Sequence, residues 1–415
     1  MVAKSSKPNK RKRLYGSDHP VSLSMNFLLD AVSIIGTFNN VYPDLLTKEK
    51  ESSRLIKINE QKVKRILKAL EKNPVKGKKP IRARPDMKLL SELFNTRNLM
   101  RRQSKIRRSS TAFKSSIFVH IFSRFDAFIL DIVRHYYSSS DLLMKSDKQL
   151  TYAEIAELGS HSFKQIKRRY VDEEIEKLRD NRMNQLKLIA DQSKYDLLKQ
   201  ISNFIPLFIE ASERRNIIVH HRGAITNRYR KNLEKYGIQS PPKDQTSLLI
   251  TEEYITQVFE TLLNIALEVS LAVNKSKKTN EKLFEAINND IIVEAIRDEL
   301  YPLALTTLDF VYKHGFDFDI YVLNKALCYK RMGNKQEYQA ISKLFIKIND
   351  NPILQMAICI LNDSPEGALR IMRSVKNKNQ LEHIELTIND SSNLLFEEFA
   401  HTTKFRLNDY SPQQK

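Results

Sequence analysis

The sequence predicts an all-α protein, and three observations carry that expectation. Nine glycines and thirteen prolines in 415 residues are too few for the tight turns of an all-β design. Strong helix formers fill nearly every segment. Apolar residues recur at spacings of three and four over long stretches, the period of one helix face. A hydrophobic content of 41% is enough for a sizeable core, and the length fits two or three domains.

Taken in order, residues 1–22 read as a basic disordered arm. From 23 to 110, apolar patches ("MNFLLDAVSIIGTF", "KLLSELFN") alternate with basic blocks, which predicts short helices joined by mobile linkers. The stretch "TAFKSSIFVHIFSRFDAFILDIVRHYY" (111–137) predicts a long helix, with Ile117, Phe118, Ile121, Phe122, Phe125, Phe128, Ile129 and Ile132 on one face. Further helices are expected over 162–190 and 193–221, with Pro206 marking a kink or a restart. Residues 222–250, containing Gly223 and "SPP", read as a long connection. Thr251 then caps a helix over 251–275 whose stripe runs through Ile255, Phe259, Leu262, Ala266 and Val269. Antiparallel helices of this length make a bundle. Beyond the "NKSKKTNEK" linker, "LNKALCYKRMGNKQEY" (323–338) is echoed 31 residues on by "LQMAICILNDSPEGAL" (354–369). A helix, a turn at Gly333-Asn334 and a second helix resemble tetratricopeptide-like hairpins, so 281–410 reads as a helical-repeat region. In that register Cys328 and Cys359 are packing residues.

Charge is distributed unevenly. Residues 1–110 hold 27 Lys+Arg against 9 Asp+Glu, and the remaining 305 residues hold 42 against 40, so nearly all of the +20 net charge lies in the first quarter. Such a field attracts nucleic acid or an acidic partner. Arg101, Arg102, Arg107 and Arg108, in "RNLMRRQSKIRR", are the candidate RNA-binding residues. No uninterrupted apolar run of about 18 residues predicts a membrane span. The basic N-terminus lacks the apolar core of a secretory signal. Two cysteines form neither a metal spacing nor a disulfide framework, which makes the cytoplasm the simplest compartment.

Chemistry concentrates in "ASERRNIIVHHRGAITNRY" (211–229). With about 100° per residue, Arg215 falls at about 40° from Ala211, between Phe204 at about 20° and Phe208 at about 60°. That places a guanidinium in the apolar stripe, beside Val219 at about 80°. Burying it is costly unless it is paired, and Asp126, Asp131 and Glu213 are candidate partners. The other arrangement is a cleft where two copies of the helix meet and admit a phosphate, which the planar fork of arginine matches. Glu213, Asn216 and His220 share another face, Asn216 and His220 as an i,i+4 pair. A histidine that moves protons and an arginine that stabilises charge suffice to cleave RNA by attack of its own 2′-hydroxyl, with no metal and no cofactor. Metal binding is the weaker rival, because His220 and His221 project about 100° apart. No G-x-S-x-G, Cys–His or Walker-type pattern is present.

The segment Arg215-Asn216-Ile217-Ile218-Val219-His220 resembles the R-N-x-x-x-H motif of HEPN-domain proteins, in the variety found in prokaryotic RNases of conflict and phage-defence systems. The resemblance spans roughly 111–276 and includes the aromatic-rich first helix, "YVDEEIEKL", the motif helix and "TEEYITQVFETLLNIALEVS". It implies a metal-independent endoribonuclease acting as a homodimer, with both copies of the motif in one cleft. Arg215 and His220 would be catalytic, and Asn216 would orient the histidine. Glu213, then Glu210, would be the upstream acidic residue. Arg214 and His221 offer alternative registers. A protein regulator at the C-terminal repeats and a toxin or antiviral role follow from the analogy alone. The rival expectations are a non-catalytic RNA- or protein-binding scaffold, and a nucleotide-binding or nucleotide-modified toxin–antitoxin component. For the latter, Tyr229 lies too far past His220 to match a modification motif.

Overall fold

A computed structural model describes residues 19–72, 87–139, 163–178, 181–274, 277–348 and 351–375. The described residues are almost entirely helical, and among them the only extended pairing is an isolated antiparallel bridge between Ala224 and Ser247. The helices are α1 (Pro20–Lys72), α2 (Met87–Ser139), α3 (Phe163–Leu178), α4 (Arg182–Ser193), α5 (Leu197–Gln200), α6 (Ile205–His221), α7 (Asn227–Lys235) and α8 (Glu252–Val273). After these come α9 (Lys277–Ala286), a π-helical turn (Ile287–Ile292), α10 (Val293–Arg297), α11 (Tyr301–Lys313), α12 (Phe318–Arg331) and α13 (Lys335–Ser342). A 3₁₀ turn (Lys343–Lys347), α14 (Pro352–Leu361) and α15 (Pro365–Ser374) end the described chain.

Several expectations change. The predicted short helices of 23–110 are instead two helices of 53 residues each, so the boundary expected at 111 falls inside α2. The expected helix over 162–190 divides into α3 and α4, which Asn181 caps by accepting from the Asn184 N–H. Pro206 does mark a restart, at the first turn of α6, where its missing N–H has no intrahelical partner to lose. The supposed connection 222–250 contains α7, capped by the Thr226 hydroxyl accepting from the Tyr229 N–H at 3.1 Å. Most of the basic arm 1–22, the block 73–86 and residues 376–410 of the repeat region lie outside the described residues.

The chain divides into two compact units: residues 1–32, 125–203 and 263–415, and residues 33–124 and 204–262. In the first unit, Phe27 packs edge-on to Phe125 at 5.7 Å and stacks on Phe128 at 5.1 Å. Asp126, expected near Arg215, instead takes a two-pronged pair from Arg182, both bonds at 2.7 Å. Asp131 accepts from Arg134 at 2.9 Å. Buried Glu268 accepts from the Tyr195 hydroxyl at 2.8 Å and faces His314 Nε2 at 3.7 Å. The turn expected at Gly333-Asn334 is present: Gly333 has φ +69°, and Asn334 caps α13. Lys330 bridges onward, donating to the Ile360 and Leu361 carbonyls and pairing with Asp363. Cys328 is buried, which pushes its thiol up to about 12, as suits a packing residue.

In the second unit, α1 and α2 run antiparallel. Phe38 stacks on Phe113 at 6.2 Å, Arg107 pairs with Glu49 at 3.0 Å, Gln103 donates to Ser53 at 2.7 Å and Asn59 to Thr96 at 3.2 Å. Phe118, Phe122, Phe208, Ile255 and Phe259 are buried in this unit. Two helices are long and apolar enough to cross a membrane by length and composition, Pro20–Lys68 and Glu252–Val273, and their apolar windows are 61% and 78% buried inside the protein.

Candidate active site on the motif helix

Helix α6 begins at a proline and ends by chain reversal. Arg222 (φ +52°) and Gly223 (φ +82°) both adopt left-handed backbone, and their N–H groups turn back onto the Ile217 carbonyl. A side chain at 223 would place its Cβ 3.3 Å from the Leu248 carbonyl oxygen, so glycine serves both the dihedral and the close approach. The returning chain pairs briefly, with Ile225 N–H donating to Thr246 and Leu248 N–H to Gly223. Ile217, Tyr229, Leu233 and Leu248 form a small core under this turn.

Both Arg214 and Arg215 are partly buried, and the one held there by a carboxylate is Arg214. Its guanidinium lies 3.8 Å from the centroid of the Tyr254 ring and pairs with Glu210 at 2.7 Å, and both charged side chains are about one-seventh exposed. It also donates to the Leu249 carbonyl at 3.3 Å. The Glu210 carboxylate accepts from Tyr229 at 2.6 Å and from Tyr254 at 2.5 Å. Burial, and then the Glu210 carboxylate, push both phenols well above their ordinary range, so they stay neutral donors. Burial works against the Arg214 charge, yet Tyr254 and Glu210 outweigh it and raise its pKa. Glu210 is therefore the buried acid of this helix. Glu213 is half-buried and makes no hydrogen bond or ion pair among the described residues.

The wheel expectation fails at Val219, which is 45% exposed, whereas Ile217 is buried. The face that packs at the end of α6 is the one covered by α7. Arg215 is half-buried. It donates to Asn216 Oδ1 at 3.4 Å, and its Nε is enclosed without a partner. His220 and His221 are both exposed at the last turn. Asn216 thus links the two other motif residues: bonded to Arg215 on one side and one helical turn from His220 on the other. Arg215 and His220 diverge by about 140° around a single helix, so one copy does not aim both at one point. Among the described residues no three His, Cys, Asp or Glu side chains stand close enough to share a metal ion.

All four candidate RNA-binding arginines, Arg101, Arg102, Arg107 and Arg108, are exposed on α2, and Arg107 alone of them pairs with Glu49 of α1. Sequence reasoning missed Tyr229 and Tyr254 as partners of the motif helix. No local pattern signals them, because they lie 19 and 44 residues from Glu210. Compared with family models, curated proteins and solved structures, the chain finds no match in any of the three.

Proposed function

We propose that this protein is a metal-independent endoribonuclease of HEPN type that works as a homodimer. Arg215 and His220 are its catalytic residues, and Asn216 positions them. The carrying observation is the division of labour between adjacent arginines. Arg214 is committed to the buried Glu210–Tyr229–Tyr254 network, whereas Arg215 is half-buried, makes no ion pair among the described residues and has one long hydrogen bond, to Asn216, which lies one turn from an exposed imidazole. In the reaction, neutral imidazole takes the 2′-hydroxyl proton while the 2′-oxygen attacks the adjacent phosphorus. The bond to the 5′-oxygen breaks and that oxygen gains a proton, leaving a 2′,3′-cyclic phosphate. Arginine stabilises the extra charge on the phosphorane. Because the two groups diverge on one helix, a second copy supplies the missing half of the cleft.

The N-terminal positive charge concentrates RNA near the site. The C-terminal helical hairpins, read as tetratricopeptide-like, receive a protein regulator in a cytoplasmic toxin or antiviral effector.

The test is direct. Arg215→Ala and His220→Ala should each abolish cleavage of a mixed RNA pool, with wild-type helicity and unchanged dimer sedimentation. Activity should survive EDTA and leave cyclic phosphate ends. Undiminished cleavage in both variants would sink the reading, and loss of thermal stability instead of activity would make the motif structural.

A further inference from the structure

The outward face of α2 carries a row of cations that make no ion pair among the described residues. The inward face is fixed by Thr96, Gln103 and Arg107, which meet α1. Measured from Thr96 at about 100° per residue, Phe94, Arg97, Arg101, Lys105 and Arg108 fall at about 100–180°, on one stripe directed away from α1. All five are exposed, Phe94 to 63%. The four cations make no ion pair among the described residues, whereas Arg107, one position from Arg108, is spent on Glu49. Arg102 points to a different side of the helix. Steps of three and four residues space the cations by about 4.5–6 Å, and the row extends over about 16 Å. That is the axial length of about five stacked nucleotides at ~3.4 Å each.

We propose that this stripe is the docking track for a single strand of RNA: Arg97, Arg101, Lys105 and Arg108 hold phosphates along it, and Phe94 stacks on a base at the end of the row. The inference rests on the RNA reading above and adds the surface that binds. Exposed cations beside an exposed aromatic ring are the two components of sequence-tolerant single-strand binding. Two other occupants fit less well. A helix lying on an anionic membrane needs an apolar strip along the same turns as its cations. Here the exposed apolar residues (Met87, Leu90, Leu93, Phe94 and Met100) cluster in the first half of α2, and none is exposed along Arg101–Arg108, where most of the row lies. A second copy of the stripe would set four positive charges against four.

The experiment uses the full chain with His220→Ala, so that RNA is bound without being cut, and follows the anisotropy of a fluorescent 12-nucleotide oligouridylate against salt. Replacing the four stripe cations by Gln should make the slope of log K against log[salt] shallower by about 2.8, or about 0.7 per lost phosphate contact. Phe94→Ala should weaken binding about 5- to 150-fold. The charge-matched control replaces Arg54, Lys57, Arg65 and Lys68 of α1 by Gln and should shift the slope by less than one contact. An equal loss in that control, or no loss in the stripe variant, overturns the proposal. So does a stripe variant that keeps RNA affinity but loses binding to phosphatidylserine vesicles. If wild type never cuts RNA while these binding results hold, the track stands and the nuclease reading falls. If cutting occurs and the stripe variant binds normally, the reverse follows.

Discussion

Glu210 receives three donors at once, from Arg214, Tyr229 and Tyr254. Removing it would leave a guanidinium enclosed against an aromatic ring with no counter-charge. Breaking one side of a buried pair costs about 3–5 kcal/mol, so Glu210→Ala should lower unfolding free energy by about that much in urea titrations. Glu213→Ala, one turn further along, should change it by less than about 0.5 kcal/mol. Equal effects would mean that the buried network is not the anchor of α6. Glu268 gives a second residue-level expectation. Burial alone would raise its pKa, but the nearby His314 imidazole, the hydrogen bond from Tyr195 and the Lys313 charge outweigh that and lower it. Its folded pKa is depressed, so its contribution is complete above about pH 4.5 and is lost as pH falls through the folded value. Wild-type stability should therefore drop as pH falls below about 4.5, and Glu268→Gln should flatten that drop.

Among the elements, α1 is continuous through Pro43, which is exposed and sits inside the helix. An interior proline removes one backbone hydrogen bond and crowds the preceding turn, at a cost of about 3 kcal/mol. The stacking of Phe38 on Tyr42 and Phe113 holds the helix before Pro43, and the Glu49–Arg107 pair holds it after. Pro43→Ala should raise stability by about 1–3 kcal/mol, read as a higher urea midpoint at unchanged slope. A destabilised variant would show that α1 relies on the proline at 43. Helix α7 depends on its cap, and Thr226→Ala should cost about 1 kcal/mol. That variant should also loosen Tyr229, and with it the acid that fixes α6.

On the scale of the molecule, the exposed cations of α2 and the catalytic candidates are far apart in sequence yet belong to one unit, built from residues 33–124 and 204–262. If the active species is a dimer with a composite cleft, specific activity should fall on dilution in step with dimer dissociation measured by sedimentation. A specific activity independent of concentration while the dimer dissociates would mean that one copy suffices.

The sequence by itself determined the helical class, because the spacing of apolar residues and the scarcity of glycine act locally and repeat everywhere. It likewise fixed the charge asymmetry, the restart at Pro206, the reversal at Gly223 and the turn at Gly333. Each of these is set by one residue's own backbone preference. Only the tertiary structure decided which of two adjacent arginines is paired inside the unit, because the choice rests on two tyrosines distant in the chain. For the same reason it decided the burial of Ile217 in place of Val219. It also separated Arg107 from Arg108, since a charge is free or spent according to what the neighbouring helix sets opposite it.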